Sequence, residues 1–296
     1  MNFSNDLKPL EIVGHGVFSL AEDFMSTPVY VSIDEDNILK LSEEMLKVGK
    51  KEFKPPEVKN PYKAVITELV GSSINYCYWY GKYNTKPGVS SSTYLWSLID
   101  EAFSDYENDN NIKFKNCLSK LIMMLALGRF PLLEERVKHL TNLISFGEKF
   151  ANEILTNYDK RSLNQLTRVL VGTFPGFASD MFLKRTFLFF IQLYRRFGWF
   201  KDELSDYPVP ADYQIPKVLS HYKCINYNKQ LKTMINSNTL IPKHSQMECE
   251  IRSATILSMR KLCELTKWNV ADLDSWLFVN RDDYKGPFHL TITTDY

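Results

Sequence analysis

Neither sign of charge prevails in this sequence. Lys and Arg together number 36, and Asp and Glu 35. A chain that grips long DNA or RNA needs a basic surface, so binding to polymeric nucleic acid by charge is not expected. Cysteines are scarce as well: 5, at positions 77, 117, 224, 249 and 263, odd in number and without a CxxC spacing. That usage suits reduced thiols in a cytosol-like, cytoplasmic setting and carries no zinc pattern. The 5 histidines form no HExxH-like cluster, so neither a metal nor a cofactor is expected. Apolar runs such as Leu121–Leu127 fall far short of the roughly 20 residues a membrane helix needs, so no membrane association is expected. The start, Met1-Asn2-Phe3-Ser4-Asn5-Asp6, has no basic segment followed by an apolar core, and a secretory leader is not expected. A Gly-rich phosphate loop, a Ser-His-Asp order, an internal repeat and a domain-dividing linker are all missing.

The chain does have ample material for a core. Of its 296 residues 44% are hydrophobic and 24% charged, and aromatics reach 14%. Helical periodicity recurs along most of it. Ile38, Leu41, Met45 and Val48 mark a helix with Asp34-Glu35-Asp36 at its start and Gly49 at its end. Further helical segments fall at Tyr62–Val70, around Trp96–Phe103, at Phe114–Leu127 closed by Gly128, and from Pro131 through Phe150. Others fall at Asn164–Val171, Met181–Phe197, just after Asp212, Tyr227–Ile235 and Ile251–Leu265. Strand signals are confined to Val29–Ile33 and the tail after Gly286. The pattern predicts one all-α domain over residues 1–296, with an irregular lead-in over 1–30 and helices packed around Phe114–Leu127 and Met181–Phe197.

Three stretches carry chemistry. In Ala211-Asp212-Tyr213-Gln214-Ile215-Pro216, a carboxylate stands directly before a helix and just after Pro208 and Pro210. Proline stiffens such a loop, so Asp212 either caps the helix or is poised at a cleft. Lys184-Arg185 puts two cations in the first turn of a strongly apolar helix, against the helix dipole. A bound anion or a nearby acid would resolve that conflict. Tyr76, Tyr78, Trp79 and Tyr80 crowd four rings beside Asn75, as core packing or as a ligand-stacking wall. Carboxylates, rings and a basic pair together suit cleavage of a glycosidic bond, where a carboxylate stabilises an oxocarbenium-like state.

Several pieces, in order, resemble the queuosine salvage protein family, the queuosine 5′-phosphate N-glycosidases. They are Ile74-Asn75-Tyr76-Cys77-Tyr78-Trp79, Trp96-Ser97-Leu98, Pro131 to Arg136, Phe174-Pro175, Lys184-Arg185, Ala211 to Leu219, Glu248-Cys249-Glu250-Ile251-Arg252, Asp272 with Trp276, and Gly286-Pro287-Phe288-His289. The resemblance implies a helical fold related to helix-hairpin-helix DNA glycosylases. It also implies hydrolysis of queuosine 5′-phosphate to queuine and ribose 5-phosphate, which feeds queuine back to tRNA modification. It casts Asp212 as the catalytic aspartate, Lys184 and Arg185 at the 5′-phosphate, and Asp272 at the base edge. Asn75, Tyr76, Trp79, Ala211 and Trp276 would line the base pocket. Glu250 and Arg252 are read as a structural ion pair at least as readily as ligands. The substrate expected is a small nucleotide. The alternatives are an N-glycosidase for a related deazapurine or purine nucleotide, and a non-catalytic protein that binds a modified base or nucleotide. The chain departs from the family pattern at Ser72 and Leu277, where aspartates are expected. No histidine appears in Phe53–Pro61, and the segment between Phe177 and Phe182 is short.

Overall fold

A computed structural model describes residues 15–50, 54–81, 89–106, 113–281, 284 and 286–296. Within them the chain begins with helix α1 (His15–Ser26), so the lead-in expected to be irregular is helical from His15 onward, while residues 1–14 lie outside the described residues. Val17, Phe18 and Ala21 form its buried stripe. Three residues are too few to set a period in the sequence, and it is a later helix that buries them. Strand β1 (Val31–Ile33) follows, then α2 (Glu35–Val48), capped by the Asp34 side chain and ended by Gly49 at φ 79°. Both ends match their sequence signals.

Helix α3 (Pro61–Ser73) is capped by Asn60 and buried along most of its length. A Cβ on its Gly71 would sit 2.1 Å from the indole of Trp96, on α4 (Ser91–Ala102). Glycine there lets α4 close onto α3 and seats the Trp96 ring. Helix α5 (Phe114–Leu127) keeps the expected bounds. The next expected helix divides into α6 (Leu133–Leu143) and α7 (Gly147–Asn157), because both pieces bury the same kind of apolar stripe and the pattern runs on across the break. Then come α8 (Leu163–Thr173), the short α9 (Pro175–Ala178), and α10 (Lys184–Phe197), whose N-cap Leu183 lies in the left-handed region at φ 51°. Helix α11 (Gln214–His221) precedes strand β2 (Ile225–Tyr227), which pairs antiparallel with β1, Val31 opposite Tyr227 and Ile33 opposite Ile225. The chain then forms α12 (Lys229–Asn236), α13 (Gln246–Thr266) and α14 (Val270–Asn280). Fourteen α-helices and a two-stranded sheet make the described fold all-α.

The core is organised around α10, as expected, and around α13, which was not. Helix α13 packs against α1, α2, β1, α11 and α14. The expected partner, α5, instead lies at the side against α4 and α6, with Met123 and Leu127 exposed. The sequence hides α13 because its buried face mixes Ile251, Ile256 and Met259 with Ser253, Ala254, Thr255 and Ser258, while Glu248, Glu250 and Arg252 are also fully buried. Small residues allow close packing, and the buried charges are all partnered. Glu250 accepts the N–H groups of Val29, Tyr30 and Val31 at 2.9, 2.7 and 3.0 Å, tying β1 to α13. It makes no pair with Arg252, contrary to the expectation; Arg252 pairs with Asp180 and Glu248. Among the described residues no helix is long and apolar enough to cross a membrane.

Candidate active site

Between α10, α14 and the loops that precede α4 and α11 lies a cavity of about 600 Å³. Helix α10 contributes Lys184, Leu188, Gln192 and Arg195, a spacing that returns to one helix face. Helix α14 contributes Asp274 and Phe278, one turn apart on one face, and Arg281 follows at its C-terminal end. Rings of Tyr78, Trp79, Trp96, Tyr213 and Phe288 complete the walls, with Ser90 to Thr93 at the start of α4. Tyr213 and Phe288 stack on each other at 4.6 Å between centroids.

Asp212 lines this cavity at the start of α11. Its Oδ1 accepts the N–H of Gln214 at 2.7 Å and that of Ile215 at 3.3 Å. The carboxylate therefore does cap the helix, and the two readings of this residue are compatible. One oxygen holds the loop, and Oδ2 carries no hydrogen bond among the described residues. Burial pushes the pKa of Asp212 up; the charge of Lys184 and the Gln214 amide pull against that, and the charge of Asp274 adds to it.

Lys184 is 3% exposed yet lines the cavity. Its Nζ donates to the side-chain oxygen of Asn75 at 2.9 Å and to the Asn75 carbonyl at 3.1 Å. An ammonium has three protons, so one is left for a ligand. Burial lowers the Lys184 pKa to about 8, with Asp212 acting in the opposite sense. Behind both residues stands one guanidinium. Arg252 donates from Nη1 and Nη2 to the two oxygens of Asp180 at 2.8 and 2.7 Å, and from Nε to the Ala211 carbonyl at 3.2 Å. Asp180 in turn accepts the Lys184 backbone N–H at 2.8 Å. One buried arginine thus braces both the residue before Asp212 and the first turn that carries Lys184. Asp180 also places a carboxylate at the positive end of α10, which answers the dipole conflict seen in the sequence.

The residues singled out in the sequence divide into two groups. Asp212, Lys184, Asn75 and Trp79 come together on the cavity wall. Ala211, Tyr76, Arg185, Asp272 and Trp276 are not among its lining residues. Ala211 acts through its carbonyl, held by Arg252. Tyr76 is fully buried, its hydroxyl 3.2 Å from His139 Nδ1 and its ring 4.3 Å from the Arg136 guanidinium. Arg185 is spent internally, on the carbonyls of Ser73 and Gly176 and on His139 at 3.3 Å. Burial, and after it that guanidinium, lowers the His139 pKa to about 3, so the ring is neutral. Asp272 is ion-paired with Lys50 at 2.7 Å and accepts the Tyr194 hydroxyl at 3.1 Å. Trp276 packs toward Tyr222. Asp272 and Trp276 share a face of α14, but a two-residue step turns the helix about 200°, and the cavity face belongs to Asp274. Ser72 is buried with its hydroxyl unpartnered among the described residues, and Leu277 sits in the core.

Asp274, the second of two carboxylates beside Trp276 in the sequence, carries no assigned role there, and neither do Arg195 and Gln192. Arg195 donates from Nη2 to Asp274 Oδ2 at 2.7 Å and to Ser275 Oγ at 2.9 Å, and from Nη1 to Gln192 at 3.3 Å. A signal existed: polar residues eight and eleven positions after Lys184 interrupt an otherwise apolar helix on a single face.

A family model described as queuosine salvage protein matches residues 58–281, which include every lining residue except Phe288 and Tyr296. A protein of Dictyostelium discoideum named queuosine 5′-phosphate N-glycosylase/hydrolase is 32% identical over 195 residues, covering 56% of this chain and 59% of that protein. Proteins of the same name from Sphaerobacter thermophilus and Schizosaccharomyces pombe are 27% and 25% identical, over 66% and 51% of this chain and 67% and 49% of their own lengths. The matches thus span roughly half to two thirds of these relatives.

Proposed function

The chain belongs to the queuosine salvage protein family, and from that premise we propose that it hydrolyses the N-glycosidic bond of queuosine 5′-phosphate, releasing queuine and ribose 5-phosphate. The observation that carries this reading is a half-buried carboxylate, Asp212, that lines the same cavity as a buried ammonium, Lys184, among aromatic rings. In the reaction the bond between the ribose anomeric carbon and the base nitrogen breaks. The electron pair leaves with the base, which takes up a proton. Water adds to the anomeric carbon and loses one. Asp212, ionised, stabilises the positive charge that builds on the ribosyl ring, and its Oδ2 accepts a proton of the incoming water. The Oδ1 bonds to α11 keep the carboxylate from turning away. Rings on both sides exclude bulk water from the cation until the positioned water attacks.

Lys184, not Arg185, is the cation offered to the 5′-phosphate, because the Arg185 guanidinium is already engaged within the protein. Trp79, Trp96, Tyr213 and Phe288 supply stacking surface for a flat base. Asp274 takes the base-edge role that the family resemblance assigned to Asp272. Its residue is 7% exposed, it lines the cavity, and its Oδ1 has no hydrogen bond among the described residues. A carboxylate accepts the two parallel N–H groups of a guanine-like edge. The active compartment expected is cytoplasmic.

The test is incubation of the purified protein with queuosine 5′-phosphate and chromatography for free queuine. Release is expected, and Asp212→Asn, nearly isosteric, is expected to lower kcat by on the order of 10²- to 10⁴-fold with the circular dichroism spectrum unchanged. Tight binding with the nucleotide recovered intact would replace this reading by a binding-only role. Native turnover in Asp212→Asn would remove Asp212 from the chemistry.

A further inference from the structure

The Arg195–Asp274 pair is odd for a cavity wall. Arg195 sits on α10 and Asp274 on α14, so the bond crosses from one helix to the other. Its two side chains are 27% and 10% exposed, which makes it neither a surface pair nor a core pair. A second bond from the same Nη2 reaches Ser275 Oγ at 2.9 Å, and Ser275 is itself tied to the Ala271 carbonyl at 2.8 Å. On the other side Nη1 is held by Gln192 at 3.3 Å, one turn back along α10. The guanidinium is thus fixed at three points: Gln192, Ser275 and Asp274. Of the four, Arg195, Gln192 and Asp274 line the cavity.

That arrangement constrains the carboxylate unequally. Oδ2 is pinned by Arg195, and Oδ1 is left to the cavity. A carboxylate on a free side chain turns about its last torsion, which is broad. A base edge with two parallel N–H groups requires both oxygens in one plane, with a lone pair on Oδ2 still open. We propose that Arg195 is a positioning residue for base selection: by holding Asp274 Oδ2, with Gln192 and Ser275 as its own stays, it turns the carboxylate so that both oxygens meet the ring N–H and the exocyclic amino group of a 7-deazaguanine-type base. Arg195 touches no part of the base in this scheme. It acts through Asp274, and it selects for the amino group, because an Asp274 free to rotate satisfies a single N–H equally well. The inference rests on the assignment of Asp274 to the base edge.

The experiment reads binding of the free bases, so it stands apart from hydrolysis. Isothermal titration calorimetry compares 7-deazaguanine with 7-deazahypoxanthine, which keeps the ring N–H and lacks the amino group. Wild type is expected to prefer 7-deazaguanine by about tenfold or more, the worth of one hydrogen bond to a charged acceptor. Arg195→Gln is expected to bring the ratio to within about twofold while 7-deazahypoxanthine binds nearly as before, and Arg195→Lys to restore part of it, since a lysine donates to Oδ2 without the fork. Equal weakening for both bases in Arg195→Gln would make the pair merely structural and overturn the proposal. An unchanged ratio in Arg195→Gln would overturn it too. Wild type that does not discriminate, or Asp274→Asn that keeps the wild-type ratio, would remove Asp274 from the base edge and this proposal with it. Failure to release queuine from the nucleotide, with the base preference intact, would count against the hydrolase reading alone.

Discussion

The two ends of α10 face the same cavity and are built in opposite ways. At the first turn, Lys184 is held by Asn75 and backed by Arg252, Asp180 and Glu248, all buried. At the last turn, Arg195 is held by Gln192, Asp274 and Ser275, partly open to solvent. The first end is a network whose members lie far apart in sequence, from Asn75 to Arg252, so it exists only once the whole fold is made. The second also bridges helices distant in the sequence, α10 and α14, but through one carboxylate and one hydroxyl at the edge of solvent. Buried charge is costly when broken and partly exposed charge is cheap. The cavity therefore couples stability to its Lys184 end and leaves its Arg195 end freer to vary.

The sharpest way to break this comparison is to remove the two arginines in turn. Arg252→Met leaves Asp180 and Glu248 buried without their cation and the Ala211 carbonyl without its donor. A loss of about 3–5 kcal/mol in urea-induced unfolding is expected. Arg195→Gln, acting on a partly exposed pair, is expected to cost about 1 kcal/mol or less. Equal losses would show that the two ends are alike after all.

This asymmetry also explains what could be read from the sequence. Asp212, Lys184, Asn75 and Trp79 were legible because each stands in a local signal: a proline-stiffened helix start, a cation against a dipole, a run of rings beside an amide. The helices with clean caps, such as α2 and α5, were legible for the same reason. What stayed hidden depends on where a helix face points. Asp272 and Asp274 are two residues apart on α14, and nothing local tells which of them meets a cavity shaped by α10 and the Phe288 tail. Helix α13 was underrated because its burial is achieved by paired charges and small residues, which hydropathy reads as surface. The partners that engage the Arg185 guanidinium, Ser73, Gly176 and His139, have no local signal beside it in the sequence.

A smaller effect, with opposite signs for stability and activity, is expected at Lys184. Its pKa falls from the ordinary 10.5 to about 8 in the folded protein. Between those values the unfolded chain holds a proton that the folded chain has released. The folded state therefore gains stability as pH rises through this window, and at pH 7 it bears the full cost of a buried ammonium. Lys184→Met removes that cost. The variant is expected to be more stable than wild type at pH 7 by about 1–3 kcal/mol, with the difference shrinking toward pH 10.5. In wild type, kcat/KM is expected to fall as pH rises past about 8, where the ammonium proposed to meet the phosphate is lost. That alkaline limb is expected to vanish in Lys184→Met, at a low residual rate. A limb that persists in the variant would belong to another group.

The smallest expected effect sharpens the comparison most, because it concerns two carboxylates two residues apart on α14. Asp272 is bound to Lys50, whose side chain is 43% exposed, and to the Tyr194 hydroxyl, on a face of α14 that does not border the cavity. Removing it breaks one solvent-screened ion pair and one hydrogen bond. Asp272→Ala is expected to lower stability by about 1 kcal/mol. It is expected to change 7-deazaguanine affinity by less than about twofold, whereas Asp274→Asn, nearly isosteric, should abolish the preference over 7-deazahypoxanthine. Helix geometry demands this split: the two side chains point about 200° apart round α14, whose start is fixed by Asn269 Oδ1 accepting the Asp272 N–H at 2.9 Å. Loss of base preference in Asp272→Ala, with Asp274→Asn unaffected, would mean that α14 turns on ligand binding and would exchange the roles of the two residues.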